Sequence, residues 1–364
     1  SYTGTTSLIL GSSLGNSTAG TLQLTGSGAI ASSTAYVFTG GNLTLTNTSS
    51  AEAGYARLSS TAPITSNGGT LNYNNTTGAN LVYTQTTGSV TLASGQFNVS
   101  LGTAQTNATN NKQTLTLAAL AQAATASGST ATVVFSAATT GPQVSTGTNR
   151  IFVASMSGST TTSGSIIGPW AMVGTSAGVP TDYAFYNNGY VVPANYAATT
   201  EPNWVSGSNV TANASFQLTA NRTLNTLRYS GATATGTLTG FQLQTYGVLN
   251  AGTGLLTLTG GTLTTPSGGG NLFLAANGNG LTISSTITDS GTSPVTLVYS
   301  GAGMLTLNGT NTYTGGTVVN SGTLYVPGFD KTLAPGPITI NGGALNFYSS
   351  GGAAINSANT NQVP

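Results

Sequence analysis

The chain has no cysteine and no histidine among its 364 residues. The missing thiols remove disulfide staples and thiolate chemistry, and the missing imidazoles remove the commonest general base and metal ligand. Charge is nearly absent too: only 3% of residues are charged and the formal net charge is +1, against about 25% charged in an ordinary soluble domain. A balance so close to zero gives no footprint for nucleic acid and no polybasic signal for anionic lipid. No apolar run approaches the roughly 18 residues that a membrane helix needs, and no basic-then-apolar start reads as a signal peptide. An exported chain of this kind is therefore read as already processed, or as a window of a longer one.

What is abundant is glycine, with 51 residues, together with Thr, Ser, Asn and Ala; hydrophobic residues still reach 38%. That hydrophobic share, with so little charge, disfavours disorder. Apolar and hydroxyl or amide positions alternate along the chain, as in Leu22-Gln23-Leu24, Leu43-Thr44-Leu45, Leu115-Thr116-Leu117, Leu256-Thr257-Leu258 and Leu305-Thr306-Leu307. A period of two is the strand signal, with one face buried and the other wet.

Turn pairs of one kind separate these runs: Gly40-Gly41, Gly68-Gly69, Gly260-Gly261 and Gly269-Gly270 are each followed by Thr or Asn and then Leu, at Leu43, Leu71, Leu263 and Leu272. Gly315-Gly316 and Gly342-Gly343 add two more turns. Turn, polar residue and buried Leu form a recurring unit, and a repeat of roughly 20 to 25 residues per rung predicts stacked strands. The fold class read from this pattern is all-β, a parallel β-helix or β-solenoid with an aromatic-rich insertion. A sandwich or barrel of antiparallel hairpins is the rival, but its preferred Asn-Gly turns are few; those at Asn67-Gly68, Asn277-Gly278 and Asn341-Gly342 merge into longer stretches.

Two stretches break the alternation. From about Gln113 to Ala126 an Ala-rich piece suggests a short helix padding the stack. From Gly168 to Trp204 the chain gathers Trp170, Tyr183, Phe185, Tyr186, Tyr190, Tyr196 and Trp204 with Pro169, Pro180, Pro193 and Pro202, which reads as an insertion packed on the side. The expected layout is β-solenoid rungs over 1–167, the insertion over 168–205 and further rungs over 206–364.

The segment Gly301-Ala302-Gly303-Met304-Leu305-Thr306-Leu307-Asn308-Gly309-Thr310-Asn311-Thr312-Tyr313-Thr314-Gly315-Gly316-Thr317-Val318-Val319-Asn320-Ser321-Gly322-Thr323-Leu324 closely resembles the autotransporter-associated β-strand repeat, also called the passenger-associated transport repeat. Ser1-Tyr2-Thr3-Gly4-Thr5-Thr6 resembles its second half. The resemblance implies a right-handed parallel β-helix outside the cell, in large bacterial surface proteins or autotransporter passengers, and it brings no catalytic residue. The chain's last residues, Asn359 to Pro364, do not look like the closing aromatic strand of an outer-membrane barrel.

Candidate chemistry is sparse. The acidic residues are Glu52, Asp182, Glu201, Asp289 and Asp330. Only Asp182 and Glu201 share a local segment, and a glycoside-cleaving pair there is weighed against surface or capping roles, which are favoured. No calcium-loop spacing and no phosphate-loop lysine is present, so no catalytic residue, metal or cofactor is assigned. Trp170, Tyr183, Tyr186, Tyr190 and Trp204 are the candidate partner surface if exposed, and pins for an irregular loop if buried; burial is favoured.

Two functional classes follow. In one, the rod is structural material of a surface fibre, filament or coat, its partners being copies of itself or adjacent segments of a longer chain. Head-to-tail pairing would then join Tyr2, Thr3 and Gly4 to Leu345, Asn346 and Phe347, because unprotected strand edges invite pairing. In the other it is an adhesin passenger recognising surface glycans. A polysaccharide-active enzyme is a distant third, and neither nucleic acid nor membrane insertion is expected.

Overall fold

The computed structural model describes residues 3–9, 20–75, 82–102, 112–125, 128–137, 149–156, 163–327 and 333–348, and the backbone of 354–355. The described chain is all-β, with parallel pairing dominant and a three-residue 3-10 turn at Ser50–Glu52. It forms two compact units: one holds Ser1–Thr125, Ala131–Gly178 and Tyr183–Ala194, the other Ala126–Thr130, Val179–Asp182 and Asn195–Pro364.

In the first unit, strand Ile64–Asn75 pairs in parallel with Ala35–Thr39 through its first half and with Asn42–Asn47 through its second. Glycine makes this double pairing possible. Gly68 and Gly69 bend the strand at φ +88° and +116°, beside the Gly40-Gly41 corner of the preceding rung. A Cβ on Gly69 would collide with the backbone oxygen of Gly41, so these two Gly-Gly pairs are stacked corners. The next strand, Val82–Leu101, runs 20 residues and repeats the division, pairing with Lys112–Gln122 and then with Thr132–Ala137. Leu43, Leu71, Val99 and Phe135 fall in register and are wholly buried. Each such side chain contributes about 1.5 to 3 kcal/mol of transfer free energy.

Two expectations are corrected here. Residues Lys112–Gln122 form a strand and not a helix. Leu115 and Leu117 alternate into the core, and pairing with Val82–Leu92 on one side and Asn149–Val153 on the other overrides the helix propensity of the alanines. The aromatic segment, in turn, does not lie on the side of a stack. Its strands Ala171–Ser176, Val179–Asn187 and Tyr190–Pro193 join Thr132–Ala137, Val82–Leu101, Lys112–Gln122 and Asn149–Val153 in a closed ring of seven strands. An antiparallel hairpin thus takes up the last parallel strand, through Tyr190 beside Phe152. Asn188 and Gly189 turn it with φ of +48° and +89°, the mirror-image turn that matches strand twist.

The second unit is built differently. Up to Thr286–Ile287 its strands distribute over three sheets in rotation, with Asn209–Ala212, Phe216–Gln217 and Arg222–Thr223 opening the first, second and third. Beyond it they alternate between the first two, and through Ala344–Tyr348 each later strand pairs in parallel with the strand one rung earlier. Leu256, Leu281, Leu305, Leu324 and Leu345 form one ladder through the second sheet, and Leu243, Leu263 and Ile287 another through the third. Leu305, Leu307 and Leu324 are fully buried while Thr306 between them is half-exposed. The first sheet departs from the one-face pattern: Leu249, Phe273 and Val298 are buried as well as Val248, Leu274 and Tyr299. Asn271 and Asn320 donate to the carbonyls of Ser129 and Thr130, fixing that short segment against it. At the far end Ala354–Ile355 pairs antiparallel with Phe347 and Tyr348.

Candidate partner surface

The five aromatic residues marked in the sequence do not form one exposed cluster. Tyr183 is buried, and Trp170 and Tyr186 are half-buried against the core of the first unit. The Tyr186 hydroxyl donates to the Val153 carbonyl at 3.1 Å. Tyr190 meets Phe152 edge to face at 5.1 Å, with the Arg150 guanidinium 5.8 Å from its ring centre. Trp204 belongs to the core of the second unit, donating to the Thr199 carbonyl and packing on Phe216 with ring centres 4.8 Å apart. One stretch of sequence therefore closes the strand ring of one unit and covers the first rung of the other. The hairpin had a signal in Asn188-Gly189, between the alternating residues around it.

Beside Trp204 lies a cleft of about 250 Å³ lined by Thr199, Glu201, Asn213, Ser215 and Phe216. The Glu201 carboxylate there is taken by Arg222, whose Nε donates at 2.7 Å, and by Thr219. Asp182 instead pairs with Arg228 at 3.4 Å and accepts the Asn195 N–H at 3.0 Å. The two carboxylates proposed as a local pair are thus each neutralised by an arginine of their own.

The assembly residues are also placed in part. Thr3 and Gly4 precede Thr5–Ile9, the outermost strand of its sheet, while Tyr2 lies outside the described residues. Leu345 and Phe347 pack partly against the second unit's core. Phe347 also pairs with Ile355, so half of that strand already has a neighbour.

The segment 301–324 shows what its residues do. Asn311 Oδ1 accepts the Ile287 N–H, and Tyr313 is buried with its hydroxyl 2.7 Å from Thr317 Oγ1. Burial pushes the Tyr313 phenol up to about 12. Thr314 donates through its N–H and hydroxyl to Asp289, which also accepts the Val295 N–H. Burial pushes the Asp289 carboxyl up, but these three donors outweigh it and hold it below the ordinary value. Gly315 then lies so close to the backbone of Val295 that a Cβ would touch its carbonyl, and Gly316 turns at φ +92°. In this rung a loop pinned by Asn311, Tyr313 and Asp289 stands where earlier rungs place a third strand.

Residues 297–326 match the passenger-associated-transport-repeat family model. The chain carries a passenger-associated transport repeat. Over 185 residues it is 35% identical to a protein described as an adhesin BmaC autotransporter, from Brucella suis biovar 1 (strain 1330). The match covers 46% of this chain and 5% of that protein, so the chain spans a small part of its relative. No solved structure matches the chain. The repeat supplies the second-sheet strand Met304–Leu307 and most of Thr323–Pro327, together with the first-sheet strand Thr317–Val319 and most of Val295–Gly301.

Proposed function

We propose that the chain is a segment of a secreted passenger displayed at the bacterial surface, and that its work is mechanical: a rigid β-coil of low charge used as fibre or coat material. The observation that carries this reading is the three-sheet rotation of the second unit, with a transport repeat continuing its first and second sheets. We infer from that rotation a parallel β-helix, right-handed because parallel crossovers almost always take that hand. Backbone pairing along the whole stack and a continuous core give such a coil resistance to unfolding without disulfides. Surface display of the tagged chain, read by protease accessibility on intact cells and by a protease-resistant fragment of near full length, tests this reading; retention inside the cell or rapid digestion to small peptides overturns it.

The finer assembly reading joins copies head to tail by pairing Tyr2, Thr3 and Gly4 with Leu345, Asn346 and Phe347. Light scattering and negative-stain images then give filaments growing with concentration, whereas monodisperse particles at all concentrations defeat this part of the proposal. The second reading, an adhesin, is favoured by the name of the relative, and it requires an exposed surface that the buried aromatic rings do not supply.

A further inference from the structure

We propose that the outward strip of the second sheet in the second unit is a docking face for a neutral polysaccharide. This deepens the adhesin reading and rests on it. Thr235, Thr257, Thr282 and Thr306 stand in unbroken parallel register on four successive strands. Their chain neighbours Ala234, Leu256, Leu258, Leu281, Ile283, Leu305 and Leu307 are buried, so strand alternation turns the four threonines outward. Among the described residues no other group engages their hydroxyls, which recur at the strand spacing of about 4.8 Å. A second column runs beside the first: Leu255 and Met304 are 37% and 46% exposed, and Gly280 leaves a gap between them, with the Leu255 side chain alongside.

The charge pattern selects the occupant. No charged residue occurs between Arg228 and Asp289 or between Asp289 and Asp330, and Asp289 itself is consumed by Thr314 and Val295. A strip of that kind offers nothing to phosphate, sulfate or carboxylate groups. It also lacks the Trp, Tyr and Arg anchors that concentrate binding energy at protein interfaces, apart from Tyr325 at its end. A hydroxyl column beside an apolar column suits the two surfaces of a sugar chain, its hydroxyl edge and its C–H face. One hydroxyl contact in water is weak, so the ladder favours a polymer that meets several rungs at once over a single sugar.

The test is co-sedimentation of the purified chain with insoluble cellulose, chitin and mannan, with alginate as the anionic control. We expect retention on at least one neutral polymer, little change with salt, no competition by free monosaccharide, and at least a tenfold loss in Thr257→Lys or Thr282→Lys. Thr235→Lys, at the most exposed rung, serves where either of those variants fails to melt like the parent. Absence of retention on every neutral polymer, equal retention of the folded variants, or retention only on a protein-coated surface each overturns the inference. A chain that is displayed and protease-resistant but shows one of those outcomes leaves the passenger reading standing and removes only the docking face.

Discussion

The interior of the first unit carries ions and amides where that of the second carries ladders of leucine. Arg57 is wholly buried, with Nε on Asn47 Oδ1 at 2.9 Å, Nη1 on the Gly28 carbonyl at 2.6 Å, and Nη2 on the Gly26 carbonyl and Glu52 at 2.8 and 2.9 Å. From Asn47 a row of buried amides continues through Asn75 and Gln113 to Asn149. The second unit places its leucines and isoleucines in register instead, and its ion pairs, Arg222 with Glu201 and Arg228 with Asp182, are partly exposed on the arginine side. The strand lengths differ in the same sense. A 20-residue bent strand serves two faces in the first unit, while described strands of the second reach seven residues. A leucine ladder tolerates a slipped rung chemically, whereas an amide row does not, because each buried donor needs its acceptor. We attribute the register of Ile64–Asn75 and Lys112–Gln122, which carry Asn75 and Gln113, to that row.

This comparison is broken most directly at Arg57. Arg57→Ala strands the Glu52 carboxylate and the Asn47 amide in the interior and is expected to cost about 3 to 5 kcal/mol. Hydrogen exchange should show the loss in residues 20–75 with the 247–327 amides unchanged; uniform loss across both units would mean that the two are not separately stabilised. In the second unit, Leu307→Ala opens a cavity in a wholly buried ladder, with an expected cost of about 2 to 5 kcal/mol. Its exchange effect should fall on Leu281–Ile283 and the neighbouring rungs and spare residues 20–75.

Much of this was legible in the sequence. Leu43, Leu71, Leu263 and Leu272 following Gly-Gly pairs are all buried, as the turn-polar-Leu unit required. What was hidden are the long-range partnerships. Nothing local marks Arg57 as a buried centre, since Gly26, Gly28, Asn47 and Gln85 reach it from separate rungs. The alanines of Lys112–Gln122 read as helix because propensity is local, while the two flanking strands that override it are not. The aromatic segment was recognisable as different, but only topology shows that it serves an end of each unit. The strip of Thr235, Thr257, Thr282 and Thr306 was equally silent, because a ladder exists only once the rung length is known.

Alkaline pH sharpens the contrast less severely. Burial raises the phenols of Tyr36, Tyr73 and Tyr83 in the first unit and of Tyr229, Tyr299 and Tyr313 in the second. A folded value above the unfolded 10.0 means that the folded state holds its protons longer, so stability is complete below about pH 10 and falls as pH rises beyond it. Both units should therefore unfold with the appearance of tyrosinate absorbance. Ionisation of all 15 tyrosines near pH 10 with the far-ultraviolet spectrum intact would contradict the burial of these rings.

Acid should act on the loops of Glu52 and Asp289, whose carboxyls are held below their ordinary values. Glu52 is held low first by the Thr48 N–H, against burial, and further by the Thr48 hydroxyl, Arg57 and Ser49. Asp289 is held low by Thr314 and Val295 against burial. The ordinary values are 4.5 and 3.8. With folded values below those, the stabilisation is present above about pH 4.5 and is lost as pH falls through the folded values. The Asp289 part bears on the transport repeat through Thr314, and Asp289→Asn isolates it. An amide keeps one acceptor oxygen but turns a donor toward the Thr314 hydroxyl or the Val295 N–H, so a loss of about 1 to 2 kcal/mol at neutral pH is expected from weakened charge-assisted bonds. That loss should shrink as pH falls below 3.8 toward the folded value, where the parent carboxyl is itself protonated, and exchange should report it at Thr314 and Val295. A variant as stable as the parent at pH 7, or a deficit of equal size at pH 3 and pH 7, would show that the carboxylate does not clamp the repeat loop to the rung beneath it.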